Sequence, residues 1–454
     1  MKARHRVFGM ALLFALAGTA GATGWRHLGD AGRVERRPDG VIVQSGPARL
    51  QVSAHAGGVF RVRLAPDGRL ERDASWAVVQ GAEPGAAVVD ETREVVRVHG
   101  DGVTAIVHRS PLRVDFVDGD GRMLLADDAS LPMAWLPGEH GTRVRVWKSM
   151  PSDEHYYGLG DKAGPLDRRG RAFAMWNSES YGWQGTTDPL YKSIPFFIGL
   201  RAGNAYGVFF DNTHRSSFDF GKESDGTLSF GAEDGLLDYY FIAGPRPAQV
   251  IERYTALTGR TPLPPLWSLG FQQSRYTYHP ETKVREIARR LREHRIPSDA
   301  IYLDIDYQKG YAPFTVDRAQ FPTFEKMIAD LRDDGLRTVL ITDLHIKHDP
   351  DNGYAAFDSG MRADAFIRNP DGSLYIGEVW PGDSVFPDFT LARVRDWWGG
   401  LYRDFAAMGA AGYWNDMNEP SVFNVPGNTM SLDAVHRMDD GTARDHRAIH
   451  NVYG

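Results

Sequence analysis

The 454-residue sequence contains no cysteine, so disulfide bonds, thiolate metal sites and cysteine nucleophiles are excluded. It also lacks a basic excess: the net charge is −7, whereas a bulk nucleic-acid binder usually carries a positive field. Beyond the N-terminal segment no apolar run reaches the length of about 18 residues that a membrane-spanning helix needs. The content of 42% apolar and 24% charged residues is that of an ordinary globular protein. Neither a nucleic acid nor a membrane is therefore expected as a partner of the mature chain.

Residues 1–22 have the three parts of a secretory signal peptide. Three basic side chains within residues 2–6 precede an apolar run over residues 7–18, and residues 20–22 read Ala-Gly-Ala, an A-x-A cleavage site. The apolar run is too short to cross a bilayer of about 30 Å as a helix. An N-terminal membrane anchor is the alternative. The pattern predicts cleavage after Ala22 and secretion to a periplasm or beyond.

Residues 23–260 have the pattern of an all-β domain. Short segments alternate apolar and polar residues, as residues 59–64 do in Val-Phe-Arg-Val-Arg-Leu, and glycine-containing turns such as residues 99–102 separate them. Regular short strands with turn signals between them predict a β-sandwich.

The pattern changes after a proline cluster within residues 262–265. Apolar segments then alternate with amphipathic ones, which predicts βα units and a parallel sheet. About four strands and three helices can be counted, whereas a (β/α)₈ barrel has eight of each. Residues 261–454 are therefore predicted to form the first half of such a barrel, and the fold class is α/β with an all-β N-terminal domain. The main predicted elements are strands at 301–307 and 338–342, a helix from 281, a helix capped by Thr323, and a helix over 391–408.

Three of the predicted strands end in aspartates, namely Asp304, Asp343 and Asp416. In a barrel the carboxyl ends of the strands face the active site. Glycoside cleavage needs one carboxylate to attack or stabilise an oxocarbenium-like centre and a second carboxyl group to protonate the leaving oxygen. Each aspartate taken singly also fits a helix cap or a loop, so both interpretations remain open on the pattern alone.

Residues 412–420, Gly-Tyr-Trp-Asn-Asp-Met-Asn-Glu-Pro, resemble the nucleophile signature W-x-D-M-N-E of glycoside hydrolase family 31. The resemblance runs from about residue 40 to the end of the chain. It implies a galactose mutarotase-like β-sandwich, a (β/α)₈ barrel, and a retaining, exo-acting α-glucosidase that hydrolyses α-glucosides by double displacement. Five further segments are similar to family landmarks in the same order: 157–162 (Y-G-L-G-D-K), 187–197, 304–307 (D-I-D-Y), 379–382 (V-W-P-G) and 386–389 (F-P-D-F).

The same resemblance implies roles for individual residues. Asp416 would be the nucleophile that forms a covalent glucosyl intermediate, and Glu419 would support the site. Tryptophan faces pack on the apolar face of a pyranose, and carboxylates accept hydrogen bonds from its hydroxyls. No metal or cofactor is expected. The residues implied to bind the sugar are Asp188, Asp304, Ile305, Asp343, Trp380, Trp414 and Met417.

Two features depart from the family pattern. Residues 343–348 read Asp-Leu-His-Ile-Lys-His where the family often has D-P-G/H-I. No segment matches the W-T/S-G-D motif of the general acid/base, so no acid/base residue is assigned, and the chain is expected to be truncated after the nucleophile strand. The alternatives are an inactive product that at most binds carbohydrate, or a member with another specificity, such as an α-xylosidase or a transglucosidase. The expected partner is an α-linked glucoside or oligosaccharide.

Overall fold

The computed structural model describes residues 24–70, 75–79 and 85–454, so the predicted signal segment, residues 1–22, lies outside the described residues. The N-terminal part is built almost entirely from strands. These are β1 (Arg26–His27), β2 (Val34–Arg37), β3 (Gly40–Ser45), β4 (Ala48–His55), β5 (Val59–Ala65), β6 (Val88–Glu91), β7 (Val95–His99), β8 (Val103–Arg109), β9 (Leu112–Asp118), β10 (Met123–Ala126), β11 (Met133–Pro137), β12 (Thr142–Ser149), β13 (His155–Gly160), β14 (Ala172–Met175), β15 (Ser193–Arg201), β16 (Asn204–Phe210), β17 (Ser216–Phe220), β18 (Thr227–Ala232) and β19 (Leu237–Ala243).

The strands form three antiparallel sheets around a shared apolar core. An eight-stranded sheet has the order β13-β15-β16-β19-β5-β4-β3-β2, a six-stranded sheet has the order β1-β11-β12-β18-β17-β14, and a five-stranded sheet has the order β10-β9-β8-β7-β6. Inward side chains such as Val62, Phe116 and Phe230 belong to one buried cluster. Packed antiparallel sheets bury alternate residues of each strand, which is the pattern that the sequence shows.

Strand β5 differs from its predicted half-exposed pattern because all seven of its residues are buried. Its polar positions, Arg61 and Arg63, do not face solvent. Arg61 donates to Asp238 of β19 from Nε at 2.9 Å and from Nη2 at 2.7 Å, and Arg63 Nε lies 3.2 Å from the same carboxylate. The alternation therefore separates an apolar face from a buried ionic face.

The second part alternates strands and helices. Helix α1 (Pro247–Thr258) and a 3₁₀ turn (Leu266–Leu269) lead into it. Its elements are β20 (Gln272–Gln273), α2 (Glu281–Glu293), β21 (Ala300–Leu303), α3 (Phe324–Asp333), β22 (Arg337–Ile341), β23 (Ile346–Lys347), α4 (Ala355–Arg362), β24 (Ile376–Val379), β25 (Gly382–Val385), α5 (Ala392–Leu401), α6 (Arg403–Ala407), β26 (Gly412–Trp414), β27 (Val435–Arg437), β28 (Ala443–Asp445) and α7 (His446–Tyr453).

Strands β20, β21, β22 and β26 pair in that order as a parallel sheet. Helices α2 and α3 cover it with apolar faces, and their Val284, Ala288 and Ile328 share a buried cluster with Ile301 and Leu340 of the strands. Between β22 and β26 the chain leaves the sheet and forms a separate antiparallel sheet in the order β23-β25-β24. Among the described residues, none of the helices combines the length and apolar character needed to cross a membrane.

Three details differ from the elements predicted by pattern. The strand expected over 301–307 ends at Leu303, because the Asp304 side chain accepts the Ile305 N–H and starts a 3₁₀ turn. The helix expected over 391–408 is divided into α5 and α6, and the Gly-Gly pair at 399–400, which lowers helix propensity, precedes the break. Thr323 does not cap α3 with its hydroxyl, which donates instead to Glu281 at 2.5 Å.

An exposed apolar strip precedes β20. Leu263, Leu266 and Leu269 are 95%, 85% and 69% exposed, and apolar surface of this kind promotes association. We expect the chain to self-associate, and the double substitution Leu263→Ser with Leu266→Ser to shift it towards monomer in sedimentation velocity. Leu166→Ser, at a 74% exposed leucine of the N-terminal part, should leave the distribution unchanged. An unmodified chain that is monomeric at high concentration would contradict this expectation.

Candidate active site

Three neighbouring parallel strands deliver carboxylates to one edge of the sheet. Asp304 directly follows β21, Asp343 lies two residues after β22, and Asp416 lies two residues after β26. Because β22 pairs in parallel with both β21 and β26, the carboxyl ends of the three strands lie at the same edge. The structure therefore brings together the three aspartates that the sequence places after separate strands.

Asp416 is half-buried, and the backbone turns sharply just after it. Met417 is buried and has a φ of 59°, a left-handed conformation that is uncommon for residues other than glycine. Such strained residues cluster at functional sites. Burial raises the pKa of Asp416, and a hydrogen bond from the Met417 N–H partly offsets that effect. The carboxyl group that the sequence nominates as nucleophile is thus held at a rigid turn in a partly desolvated position.

Asp304 is also half-buried at the start of its 3₁₀ turn. Its Oδ1 accepts the Ile305 N–H at 2.7 Å. Burial and the negative charges of Asp416 and Asp306 raise the pKa of Asp304, and the Ile305 hydrogen bond opposes them. The carboxylates of Asp304 and Asp416 are therefore close enough to repel each other.

Asp343 is fully buried, and neither of its carboxyl oxygens has a hydrogen-bond partner among the described residues. Burial, with the charges of Asp416, Asp304 and Glu419, raises the pKa of Asp343 well above its usual range. His345 Nε2 lies 3.7 Å from Asp343 Oδ2, and burial lowers the pKa of His345 to about 3. The two buried side chains therefore lie next to each other in surroundings that disfavour the charged form of each.

Glu419 is buried three residues after the predicted nucleophile. It accepts a hydrogen bond from the Ser421 hydroxyl at 2.8 Å. Burial raises the pKa of Glu419 against that hydrogen bond, and the charges of Glu179 and Asp416 raise it further. Glu419 thus lies within the same cluster of carboxyl groups.

A loop of the N-terminal part, residues 176–193, reaches this cluster. Burial and the charge of Asp416 raise the pKa of Glu179. Tyr191 has its pKa raised by burial and by the charges of Glu179, Glu419 and Asp416, so its hydroxyl lies among these acids. Glu179 carries no spacing signal in the sequence and was not predicted, whereas Tyr191 lies in the family-like segment 187–197.

Two of the predicted sugar-binding residues, Asp188 and Trp380, contact other groups of the protein. Asp188 accepts hydrogen bonds from Lys162 Nζ at 2.9 Å and from the Ala174 N–H at 2.6 Å. Trp380 is 46% exposed, and its ring packs edge-on against Phe423 with centroids 4.8 Å apart. Contact of these two side chains with a sugar stays a prediction.

The remaining predicted residues flank the acids. Ile305 and Met417 are buried in apolar clusters next to Asp304 and Asp416 respectively. Trp414 is half-buried and lies against Tyr302 of β21, with ring centroids 6.4 Å apart. These positions are compatible with lining a pocket at the strand ends, and the roles stay predictions.

A polar network ties the ends of β22 and β26 together. Asn415 Nδ2 donates to the Thr342 carbonyl oxygen at 2.7 Å, and the Thr342 N–H donates to the Trp414 carbonyl at 2.9 Å. The Thr342 hydroxyl also lies 2.8 Å from the Tyr402 hydroxyl. The residues that precede Asp343 and Asp416 are thus joined directly, which fixes the separation of the two carboxyl groups.

Parallel strands of βα units that end in converging acids are the arrangement of the barrel glycoside hydrolases as a class. Residues 261–454 match the glycosyl hydrolases family 31 TIM-barrel domain, and residues 49–219 match the glycosyl hydrolase 31 N-terminal galactose mutarotase-like domain. The chain belongs to glycoside hydrolase family 31. The resemblance and the fold class predicted from the sequence are confirmed.

Similar proteins include α-glucosidases. The chain is 45% identical over 397 residues to alpha-glucosidase 2 of Bacillus thermoamyloliquefaciens, covering 87% of this chain and 49% of that protein. It is 37% identical over 286 residues to an alpha-glucosidase of Saccharolobus solfataricus, covering 63% of this chain and 41% of that one. The chain thus spans about half the length of the curated relatives it matches.

Solved structures show the same architecture. A glucose complex of a Flavobacterium johnsoniae dextranase of this family superposes with a TM-score of 0.83 at 31% identity, covering 94% of this chain and 52% of that one. The glucosidase II alpha subunit also gives a TM-score of 0.83, at 27% identity, with 97% and 56% covered. The N-terminal sheets and the βα units therefore have the fold of family 31 enzymes.

Proposed function

We propose that this chain carries the nucleophile side of the active site of a retaining, exo-acting α-glucosidase, with Asp416 as nucleophile. The observation that carries the proposal is the position of Asp416, in the W-x-D-M-N-E segment at the end of β26, among the acids Asp304, Asp343 and Glu419. The similarity to α-glucosidases supports an α-linked glucoside as substrate.

The chemistry follows the double displacement of retaining glycosidases. An oxygen of the Asp416 carboxylate forms a bond to the anomeric carbon while the bond to the leaving oxygen breaks and that oxygen takes a proton from a general acid. Water then attacks the anomeric carbon, gives a proton to the conjugate base of that general acid, and releases the carboxylate. Asp304 and Glu419 would accept hydrogen bonds from sugar hydroxyls or orient the nucleophile. General acid assistance typically contributes about 10²–10⁴-fold, so leaving groups that need no proton suit a test of the nucleophile alone.

Labelling with 5-fluoro-α-D-glucosyl fluoride tests the proposal. Fluoride leaves with the electron pair of the C1–F bond without protonation, and the ring fluorine slows hydrolysis, so the ester accumulates. We expect a stoichiometric covalent adduct in the intact mass, located on Asp416 by peptide mapping. The corresponding galactosyl reagent is the matched control for recognition of the sugar. No adduct, or an adduct on another residue, would refute Asp416 as nucleophile.

The pH dependence of labelling is a separate prediction. Only the ionised carboxylate attacks, and burial raises the pKa of Asp416 above the ordinary value of 3.8. The rate should therefore fall as the pH is lowered through a midpoint above that of a solvent-exposed aspartate. Labelling rates from about pH 8 to about pH 4 measure this midpoint. A rate that stays constant down to about pH 4 would contradict it, because the pKa of the nucleophile would then not be raised.

We further propose that residues 1–22 direct export and are removed after Ala22. The basic, apolar and A-x-A parts of this segment support the proposal. When the full chain is expressed in a Gram-negative host, the N-terminal sequence of the exported product should begin at Thr23. Replacing Ala20 and Ala22 by Asp should block processing, and retention of an uncleaved wild-type chain in the cytoplasm would contradict the proposal.

A further inference from the structure

A chain of three histidines runs through the junction between the N-terminal sheets and the βα units. His436 of β27 and His446 and His450 of α7 are fully buried. His436 Nε2 lies 2.9 Å from His446 Nδ1, and His446 Nε2 lies 3.2 Å from His450 Nδ1. One end of the chain meets Asp388 Oδ1, 3.3 Å from His436 Nδ1, and the other meets the Asn177 carbonyl oxygen, 2.7 Å from His450 Nε2.

The acceptor at the Asn177 end fixes the direction of every hydrogen bond. A carbonyl oxygen only accepts, so His450 must carry its proton on Nε2. A neutral His450 then accepts at Nδ1, which requires a proton on His446 Nε2. By the same argument His436 donates from Nε2 to His446 Nδ1. His436 therefore needs a second proton, on Nδ1, if it is also to donate to the Asp388 carboxylate.

Asp388 is built to remain ionised. Burial opposes its charge, but hydrogen bonds from His436, from the Thr390 hydroxyl and from the Arg437 N–H outweigh burial and lower the pKa of Asp388. The Arg437 N–H donates to Asp388 Oδ2 at 2.8 Å, and Arg437 Nε lies 3.5 Å from the same oxygen. The Thr390 hydroxyl lies 2.6 Å from Asp388 Oδ1, and the Arg437 carbonyl oxygen is a second acceptor for its one proton. The proton between His436 Nδ1 and Asp388 is consequently assigned to His436.

The other two histidines are kept neutral. Burial, with repulsion from the neighbouring histidines, lowers the pKa of His446 well below its usual range. Burial lowers the pKa of His450 to about 4, opposed by the Asn177 carbonyl and assisted by the charge of Arg215. The Tyr453 ring packs against His436 and His446, and its hydroxyl donates to the Pro387 carbonyl rather than to the chain.

Asn177, which the histidine chain meets at one end, lies at the start of the loop 176–193. The Asn177 N–H donates to Asn451 Oδ1 of α7 at 3.0 Å, and Asn177 Oδ1 accepts the Ser193 N–H at 2.8 Å. Trp176 stacks on His450 with ring centroids 3.6 Å apart. Both ends of the loop that carries Glu179 and Tyr191 to the acids are therefore held by the Asn177 side chain and by α7.

We propose that His436, His446 and His450 form a positioning device that docks the loop 176–193 beside Asp416, and that the device works with His436 as an imidazolium paired to Asp388. None of the three histidines touches the acid cluster, so they are positioning residues and not catalytic ones. The role of the loop at the active site rests on the proposed function. The docking of the loop and the arrangement of protons do not.

Histidine ¹⁵N spectra of the full, unmodified chain test the proton arrangement directly. At about pH 7 we expect His436 to be doubly protonated and His446 and His450 to be neutral with the proton on Nε2, with the signals assigned by His→Gln substitution at each position. A neutral His436, or a proton on Nδ1 of neutral His450, would overturn the proposal. This measurement needs no catalysis.

Hydrogen exchange of the loop tests the positioning. His446→Leu breaks the chain, and the protection of the Asn177 and Ser193 amides should fall by at least about tenfold, the effect of losing a charge-assisted network, while amides of β16 and β19 stay protected. His450→Gln keeps a donor towards Asn177, so the protection of these two amides should fall less. His294→Gln, at an exposed helix end, should leave their protection unchanged. Unchanged loop protection in His446→Leu would refute the positioning role. These measurements need no labelling of Asp416, so they can refute the positioning proposal without refuting the proposed function.

Discussion

Replacing Asp416 by asparagine should reduce adduct formation with the fluoride reagent by at least about 10³-fold, because the amide has the shape of the carboxylate but no charge with which to attack. The substitution also removes the negative charge that helps to raise the pKa values of Asp304, Asp343 and Glu179. Folding should thus be retained or improved while reactivity disappears. Intact mass after timed incubation, with thermal unfolding measured on the same samples, gives both quantities.

The matched control is Asp433→Asn, the same chemical change at a side chain that is 67% exposed and pairs with Arg447. It should label at the rate of the unmodified chain. An Asp416→Asn chain that still forms an adduct, located on Asp304 or Asp343, would move the nucleophile to another strand end. Such a result would leave the family assignment intact and overturn the assignment of roles.

Lys148→Met should lower the free energy of unfolding by roughly 3–5 kcal/mol, because removing one partner of a buried ion pair leaves an uncompensated charge. Lys148 and Asp127 have no exposed side-chain surface, and Lys148 Nζ donates to Asp127 at 2.5 Å and to the Tyr239 hydroxyl at 2.8 Å. Denaturant unfolding followed by tryptophan fluorescence measures the loss. The exposed Lys222→Met should change stability by no more than about 0.5 kcal/mol.

The loss should also depend on pH. Burial raises the pKa of Asp127 from 3.8 to about 6 against the attraction of Lys148. A carboxyl group whose folded pKa lies above its unfolded value contributes stability at low pH that is lost as the pH rises through the folded value. Without Lys148 the Asp127 carboxylate is not paired with that cation. The loss of unfolding free energy should therefore be larger at about pH 8 than at about pH 5. The double variant Lys148→Met with Asp127→Asn should recover part of the loss, and a deficit independent of pH would contradict this account.

The sequence was most informative where the site depends on local order along the chain. Asp304 and Asp416 follow short apolar strands, and parallel pairing of those strands is enough to bring the two acids to one edge. Asp343 was found for the same reason. Its complete burial without a hydrogen-bond partner among the described residues could not be predicted, since burial depends on tertiary packing.

Features that depend on distant partners were beyond pattern analysis. Arg61 is buried where it pairs with Asp238, and the loop that carries Glu179 starts where the Asn177 N–H donates to Asn451. Periodicity says nothing about contacts between residues so far apart in the chain. The division of the helix over 391–408 had a local signal in its paired glycines, although helical periodicity continues through the break.

The chain between β22 and β26, residues 342–411, lies outside the parallel register and carries its own small sheet. The nucleophile strand is positioned by its pairing with β22 and by the Asn415–Thr342 hydrogen bond, not by the length of this intervening segment. Doubling a flexible connection adds only about 0.6 kcal/mol of closure entropy. Insertions or exchanges confined to the turn between β24 and β25, which carries the exposed Trp380, could therefore change which sugars are accepted, while Thr342, Asp343 and Tyr402 keep the bond-breaking geometry unchanged.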